Sequence, residues 1–341
     1  MAKTALAIKY RPQTFDDMTE QSAIKDILEN QIKTKTFQHG YLFTGPSGTG
    51  KTTSARIFAS MINDGKGNPI EVDAASNSGV DNIRQIIDDA KRKPLDAEYK
   101  IFIVDECHSL SSGSWQALLK TLEEPPKFTI FIFCTTDPQK VPATILSRVQ
   151  RYNFQKISNE GIVERLGYII AQEIVHNEDI IYTEDAVDYI AKVSTGGMRD
   201  AITLLDKCLS LSRTLNLENV LKTIGGEDYS TFITFLSALE KKEKEISIKV
   251  IEDVYNAGKD VKQFMKDFSK FVLEVGKYAL YKNFDYISLP NTLENELEQL
   301  IDDSLFDIMD FVVSLNNQIK WENDPKTLIE LSILIYCGKE Y

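Results

Sequence analysis

Residues 45–52 read Gly-Pro-Ser-Gly-Thr-Gly-Lys-Thr, and no other stretch limits the possible folds as strongly. The run fits the pattern G-x-x-x-x-G-K-[ST] at every position. Gly45, Gly48 and Gly50 let the backbone curl so that several N–H groups converge on one anion. Lys51 adds a positive charge for the β- and γ-phosphates, and Thr52 adds a hydroxyl suited to Mg2+. Pro46, Ser47 and Thr49 complete the loop. Thr53 starts the helix behind it, whose positive dipole end faces the same anion. Such a loop needs a strand before it and a helix after it. Tyr41–Thr44 is an apolar strand candidate and Thr53–Met61 has a helical pattern. A glycine-rich turn without a ligand is the competing reading, and it leaves the full match in this setting unexplained.

Up to residue 157, short apolar runs alternate with amphipathic ones. The further strand candidates are Glu71–Asp73, Ile101–Asp105, Ile130–Thr135 and Tyr152–Phe154, with helical patterns over Asp81–Lys91 and Ser114–Leu122. Alternation of this kind predicts an α/β fold with a parallel sheet covered by helices. Ile101-Phe102-Ile103-Val104 is apolar enough for a central strand buried on both faces. Asp105 and Glu106 then stand at its C-terminal tip, where open α/β sheets bind ligands. Asp105 is placed to hold Mg2+ through water, and Glu106 to polarise an attacking water, so the pair predicts hydrolysis as well as binding. Ile130–Cys134 leads to Thr135-Thr136, whose hydroxyls are suited to the water or the γ-phosphate. Arg148, after the short helix Pro142–Leu146, and Arg199, opening a later helix, read on their own as surface or ion-paired arginines.

Residues 158–224 read as helices only: Gly161–Glu173, then Thr183–Val193 opened by a Thr183 cap, then a third from Met198. Gly225-Gly226 is a hinge candidate. Residues 227–341 are again helical in pattern, as in Val261–Lys277 and Leu305–Ile319. Three domains are expected, at 1–157, 158–225 and 226–341. A net charge of −12 over 341 residues argues against a simple basic nucleic-acid binder. That charge is uneven: residues 1–157 hold 20 basic and 18 acidic side chains, and residues 158–341 hold 19 and 33. Cys107, Cys134, Cys208 and Cys337 form no C-x-x-C pair and read as small core residues of a reducing compartment. With no signal peptide at Met1–Tyr10 and no apolar run near 20 residues, a cytoplasmic protein without a membrane span is expected.

The order of phosphate loop, D-E-x-H, T-T-D-P-Q-K, S-R and G-G-x-R-D-A resembles the AAA+ ATPases of the clamp-loader type. More narrowly it resembles the bacterial DNA polymerase III gamma/tau family. Matching strings are Lys9-Tyr10-Arg11-Pro12 with Phe15, Val72-Asp73-Ala74-Ala75-Ser76-Asn77, Ala117 to Pro126, Thr135–Lys140 and Ile145-Leu146-Ser147-Arg148. The resemblance is dense over 3–156 and fair to about 226. It implies an AAA+ domain, a helical lid and a helical collar that packs against other subunits. It implies ATP and Mg2+ as ligands. Tyr10, Arg11 and Pro12 would lie against adenine and ribose. Thr136, or its neighbour Thr135, would be sensor 1, Arg199 would be sensor 2, and Arg148 an arginine finger acting on the next subunit's ATP. The implied partners are delta- and delta-prime-like subunits or further copies of this chain in a ring, a sliding clamp and primer–template DNA. The implied role is that of a polymerase III holoenzyme subunit without a polymerase active site of its own.

Three departures qualify the match. The family's four-cysteine zinc module is replaced by the cysteine-free turn Met61–Pro69, so no zinc is expected. The usual S-R-C is Ser147-Arg148-Val149. The chain ends after the third domain, as in a short gamma form or a reduced phage version. DNA held in such a ring is gripped by its phosphates. Arg84, Arg92 and Lys93 are the leading candidates, with Lys91, Lys127, Lys140 and the Ser76–Gly79 turn behind them; a solvated charged face is the competing reading. Other AAA+ readings are a branch-migration helicase, which predicts a basic winged-helix third domain, and a remodelling factor outside replication. A non-hydrolysing delta-prime-like subunit predicts a damaged phosphate loop. Residues 227–341, with 13 basic and 22 acidic side chains, do not suit a winged helix.

Overall fold

The computed structural model describes residues 4–176, 179–224, 229–284, 287–290, 293–302 and 304–338. The order is α1 (Leu6–Lys9), α2 (Ser22–Thr34), β1 (Gly40–Thr44), α3 (Lys51–Ile62), β2 (Ile70–Asp73), α4 (Val80–Ala90), β3 (Lys100–Asp105), α5 (Ser112–Glu123), β4 (Thr129–Thr135), α6 (Ala143–Leu146), β5 (Gln150–Asn153) and α7 (Asn159–His176). Then come β6 (Ile181–Tyr182), α8 (Glu184–Val193), α9 (Met198–Leu211), β7 (Thr214–Leu215), α10 (Leu217–Ile224), α11 (Tyr229–Glu240), α12 (Lys244–Asn256), α13 (Val261–Tyr281), α14 (Glu294–Gln299), α15 (Leu305–Ile319) and α16 (Pro325–Gly338). The Gly225-Gly226 hinge expected from the sequence lies outside the described residues.

Five strands form one parallel sheet in the order β2-β3-β4-β1-β5. Alternation along each strand divides the apolar side chains between its faces. Tyr41, Phe43, Ile101, Ile103, Ile130, Ile132 and Tyr152 pack with Phe58 and Leu28 against α3 and α2. Leu42, Phe102, Val104, Phe131 and Phe133 pack on the other face with Ile83, Trp115 and Leu118 of α4 and α5. Every residue of β1 and β4 is buried, which is why both read as continuous apolar runs. Helix α5 opens with a side-chain cap, Ser111 Oγ accepting from Ser114 N at 3.1 Å.

The chain divides into two compact units, Met1–Ile180 with Ile190–Lys207, and Ile181–Tyr189 with Cys208–Tyr341; the division falls inside α8 and α9. The first unit contains the sheet. The second is built on a core of Phe232, Phe235, Phe264, Phe268 and Phe271 with Ile308, Val312 and Ile333. The rings of Phe235 and Phe268 lie 4.7 Å apart. A β-carbon on Gly276 of α13 would meet Met309 Cε, so glycine permits α13 and α15 to approach.

One expectation is corrected here. Residues 158–224 are not purely helical, because β6 pairs in parallel with β7, Ile181 opposite Thr214. Two residues give no period-2 pattern, so only tertiary pairing defines these strands. At the start of α8 the Thr183 hydroxyl donates to the Leu215 carbonyl at 3.5 Å, and the Ala186 N–H donates to Asp185 Oδ1 at 2.9 Å. The four cysteines are free and buried. Among the described residues, no helix is long and apolar enough to cross a membrane.

Candidate active site

The phosphate loop leaves β1 and enters α3 at the C-terminal edge of the sheet. Gly45, Gly48 and Gly50 hold φ of 144°, 72° and 100°, values that a side chain disfavours. Gly45 N donates to Thr135 O at 3.3 Å, which ties the loop to the end of β4. Lys51 is 6% exposed, and its Nζ donates to the carbonyls of Gly45 and Pro46 at 2.8 and 2.7 Å. Burial pulls this amine below the usual lysine range, against the raising effect of Glu106 and Asp105. Thr49 Oγ1 caps the curl on Pro46 O at 2.9 Å.

Thr52 Oγ1 donates to Asp105 Oδ2 at 2.9 Å, bringing the two expected metal-binding residues together. Glu106 follows with φ of 47°, and its N–H donates to Asp105 Oδ1 at 3.0 Å. Its carboxylate accepts from Thr136 Oγ1 at 3.3 Å and stands 3.3 Å from His108 Nδ1. The two threonines at the tip of β4 therefore differ. Thr135 is fully buried and occupied by His108 Nδ1 at 3.1 Å and Asp137 N at 3.0 Å, whereas Thr136 reaches Glu106.

These groups open on a cavity of about 330 Å3. Its walls include Tyr10, Arg11 and Pro12, Ser47 to Thr53, Asp105, Glu106 and Arg199. Arg199 enters beside Met198, whose N–H donates to Gly48 O at 3.0 Å, so the first turn of α9 rests on the loop. The donor set fits a nucleoside triphosphate with Mg2+: a glycine cradle, a buried ammonium held at its mouth, and a hydroxyl–carboxylate pair with hard oxygen ligands. A β-carbon on Gly45 would stand 2.3 Å from Phe154 O, so the cradle exists only with glycine.

Arg165 of α7 also lines the cavity and donates through Nη2 to Tyr10 O at 3.0 Å. It had no spacing signal as a functional residue, since its partner lies 155 residues away in the chain. Arg148 is not brought to this cavity. Gly40, which opens β1, faces the Arg148 carbonyl, so Arg148 stands at the N-terminal edge of the sheet. Five strand residues separate that edge from the loop, about 16 Å. Its guanidinium rests on Glu123 Oε1 at 2.5 Å and Thr144 O at 2.6 Å. Arg84 is exposed and pairs with Asp81 at 3.1 Å, and Lys91 with Asp88 at 2.8 Å. Arg92 and Lys93 are exposed and enter no ion pair among the described residues.

Sheet order, phosphate loop and acidic strand tip together define a P-loop fold of the AAA+ type. The Thermotoga maritima RuvB Holliday junction branch migration motor shares that fold, with a TM-score of 0.51 and 22% identity over 67% of this chain and 79% of that one. Residues 70–158 match the DNA polymerase III delta subunit family model, and 162–214 match the clamp loader subunit ATPase lid domain of DNA polymerase III. The chain is 34% identical to the Bacillus subtilis DNA polymerase III subunit tau over 99% of its own length and 64% of that protein's. It is 31% identical to the Buchnera aphidicola (Acyrthosiphon pisum) DNA polymerase III subunit gamma over 79% of its own length and 80% of that protein's. The chain belongs to the DNA polymerase III gamma/tau subunit family. It spans 64%, 50% and 42% of the Bacillus subtilis, Mycoplasma genitalium and Mycoplasma pneumoniae relatives.

Proposed function

We propose that this chain is the ATP-hydrolysing motor subunit of a clamp loader, which uses ATP to place a sliding clamp on primed DNA during replication. One observation carries the reading: the glycine cradle with buried Lys51 lies beside the Thr52–Asp105 pair and Glu106, in a chain of this family. Gly45 to Thr53 hold the triphosphate, and Lys51 exchanges its two carbonyl partners for phosphate oxygens. Thr52 and Asp105 would hold Mg2+, which would supply positive charge to polarise the γ-phosphoryl group. Glu106 takes the proton of the attacking water, and Thr136 orients the Glu106 carboxylate. Arg199 meets the γ-phosphate from the lid. Tyr10, Arg11 and Pro12 receive the adenosine.

Arg148 acts in trans. Its place at the far edge of the sheet supports this, since it cannot reach the nucleotide of its own chain. Residues 158–225 serve as the lid and 226–341 as a collar, in a ring with delta- and delta-prime-like subunits or further copies of this chain. Arg84, Arg92 and Lys93 follow the DNA phosphates. The cysteine-free turn between α3 and β2 supports a chain that works without zinc, and the holoenzyme setting supports a cytoplasmic one. The test separates binding from turnover. Lys51→Ala should lose ATP binding, while Glu106→Gln should bind ATP and fail to hydrolyse it. Normal hydrolysis by either variant contradicts the assignment.

A further inference from the structure

Helix α1 is a single turn, and with the residues after it forms one wall of the cavity through Ala7, Tyr10, Arg11 and Pro12. A helix this short has no stability of its own, so its position is set by its ties. Among the described residues, four side-chain hydrogen bonds tie it to α7 and α9. Leu6 N donates to Asp206 Oδ2 at 3.0 Å. Lys9 Nζ and Tyr10 Oη both donate to Glu173 Oε1, at 2.6 and 2.7 Å. Arg165 Nη2 holds the Tyr10 carbonyl at 3.0 Å.

Glu173 is 5% exposed and does not line the cavity. Short bonds to a buried carboxylate are strong, and removing the acceptor leaves both donors without it. Tyr10 is thus fixed at both ends, its hydroxyl by Glu173 and its backbone by Arg165. The phosphate loop is built separately, from β1 and α3.

We propose that Glu173 is a positioning residue for the nucleoside half of the ligand. By gripping Lys9 and Tyr10, it sets the Ala7–Pro12 wall against base and ribose and leaves the triphosphate grip unchanged. The inference rests on the nucleotide reading of the cavity. The test uses the full chain and three ligands: ATP, ADP and inorganic tripolyphosphate. Glu173→Ala should raise Kd for ATP and ADP together by about tenfold, as expected for a lost charged hydrogen bond. Its Kd for tripolyphosphate should stay within about twofold of the parent, a selectivity that a general packing defect would not produce. KM for ATP should rise while kcat at saturation holds, the mark of lost uniform binding. Glu173→Gln keeps an acceptor for Tyr10 Oη and should recover part of the affinity. If Glu173→Ala does not fold, Glu173→Gln and Tyr10→Phe must show the same ligand selectivity in milder form.

Unchanged ATP affinity, or an equal loss for tripolyphosphate, overturns the proposal. Lys51→Ala must weaken all three ligands. If it weakens none, the nucleotide reading itself falls, and the proposal with it.

Discussion

Gly48→Ala should damage folding and nucleotide binding together, because the phosphate loop and the first turn of α9 meet at that residue. Gly48 holds φ of 72°, and a β-carbon there would stand 3.1 Å from Gly197 Cα, 3.2 Å from its carbonyl carbon and 3.3 Å from Arg199 N. The left-handed conformation costs an alanine roughly 1–2 kcal/mol. The neighbours are backbone atoms, which cannot rotate aside as a side chain could. The loop and the 196–199 turn must therefore part by a few tenths of an ångström. That stretches the Met198 N to Gly48 O bond, now 3.0 Å and worth about 1 kcal/mol net. A combined loss of about 2 kcal/mol lowers the Tm of a unit this size by about 4–8 °C. Scanning calorimetry of the full chain reads the first effect, and an ATP titration, expected to weaken at least about tenfold, reads the second. Gly167→Ala in α7 is the counterpart. Among the described residues nothing lies within 4 Å of its β-carbon, and removing a helical glycine should stabilise by about 0.5–1 kcal/mol. If both variants shift Tm alike and bind ATP alike, the account of the loop–lid contact is wrong.

Three further outcomes are expected. Arg148→Ala should leave ATP binding intact yet cut hydrolysis in the assembled complex by about 10³-fold or more, read as steady-state phosphate release; normal turnover in that complex would remove the finger assignment. Neutralising Arg84, Arg92 and Lys93 together should weaken primed-DNA binding and flatten its salt dependence, and an unchanged affinity at low salt would return these residues to a solvated face. Among the described residues Glu240 Oε1 is buried without a hydrogen-bond partner, and burial, reinforced by Asp302 and opposed by Lys241, pushes its carboxyl up to about 7. The folded state then holds this proton more tightly than the unfolded one. Its stabilising contribution is full below about pH 4.5 and is lost as pH rises through 7. Urea melts should show the second unit weakening from pH 5 to 8, with a smaller slope in Glu240→Gln.

Much of the site was legible because phosphate binding needs residue types at fixed local spacing. Gly45 to Thr52 and Asp105-Glu106 are short strings, and the strands carrying them are buried on both faces, so their apolar runs mark them. Thr135 and Thr136 are adjacent and chemically alike, and their surroundings differ only through tertiary structure: Thr135 is buried under His108 and Asp137, while Thr136 reaches Glu106. Glu173 and Arg165 act through Tyr10, more than 150 residues earlier, and no pattern within α7 distinguishes them from an ordinary polar face. The β6–β7 pair was hidden for a related reason: two-residue strands exist only through their partner.

The central claim is that ATP turnover at this site drives clamp loading. Its most direct test is to reconstitute the chain with its partner subunits, a labelled sliding clamp and primed circular DNA, and to count clamps retained on the DNA. ATP should load clamps in proportion to hydrolysis and release the loader, while the Glu106→Gln assembly should bind clamp and DNA but stall with both. Clamps loaded and released at the parental rate by Glu106→Gln would contradict the account.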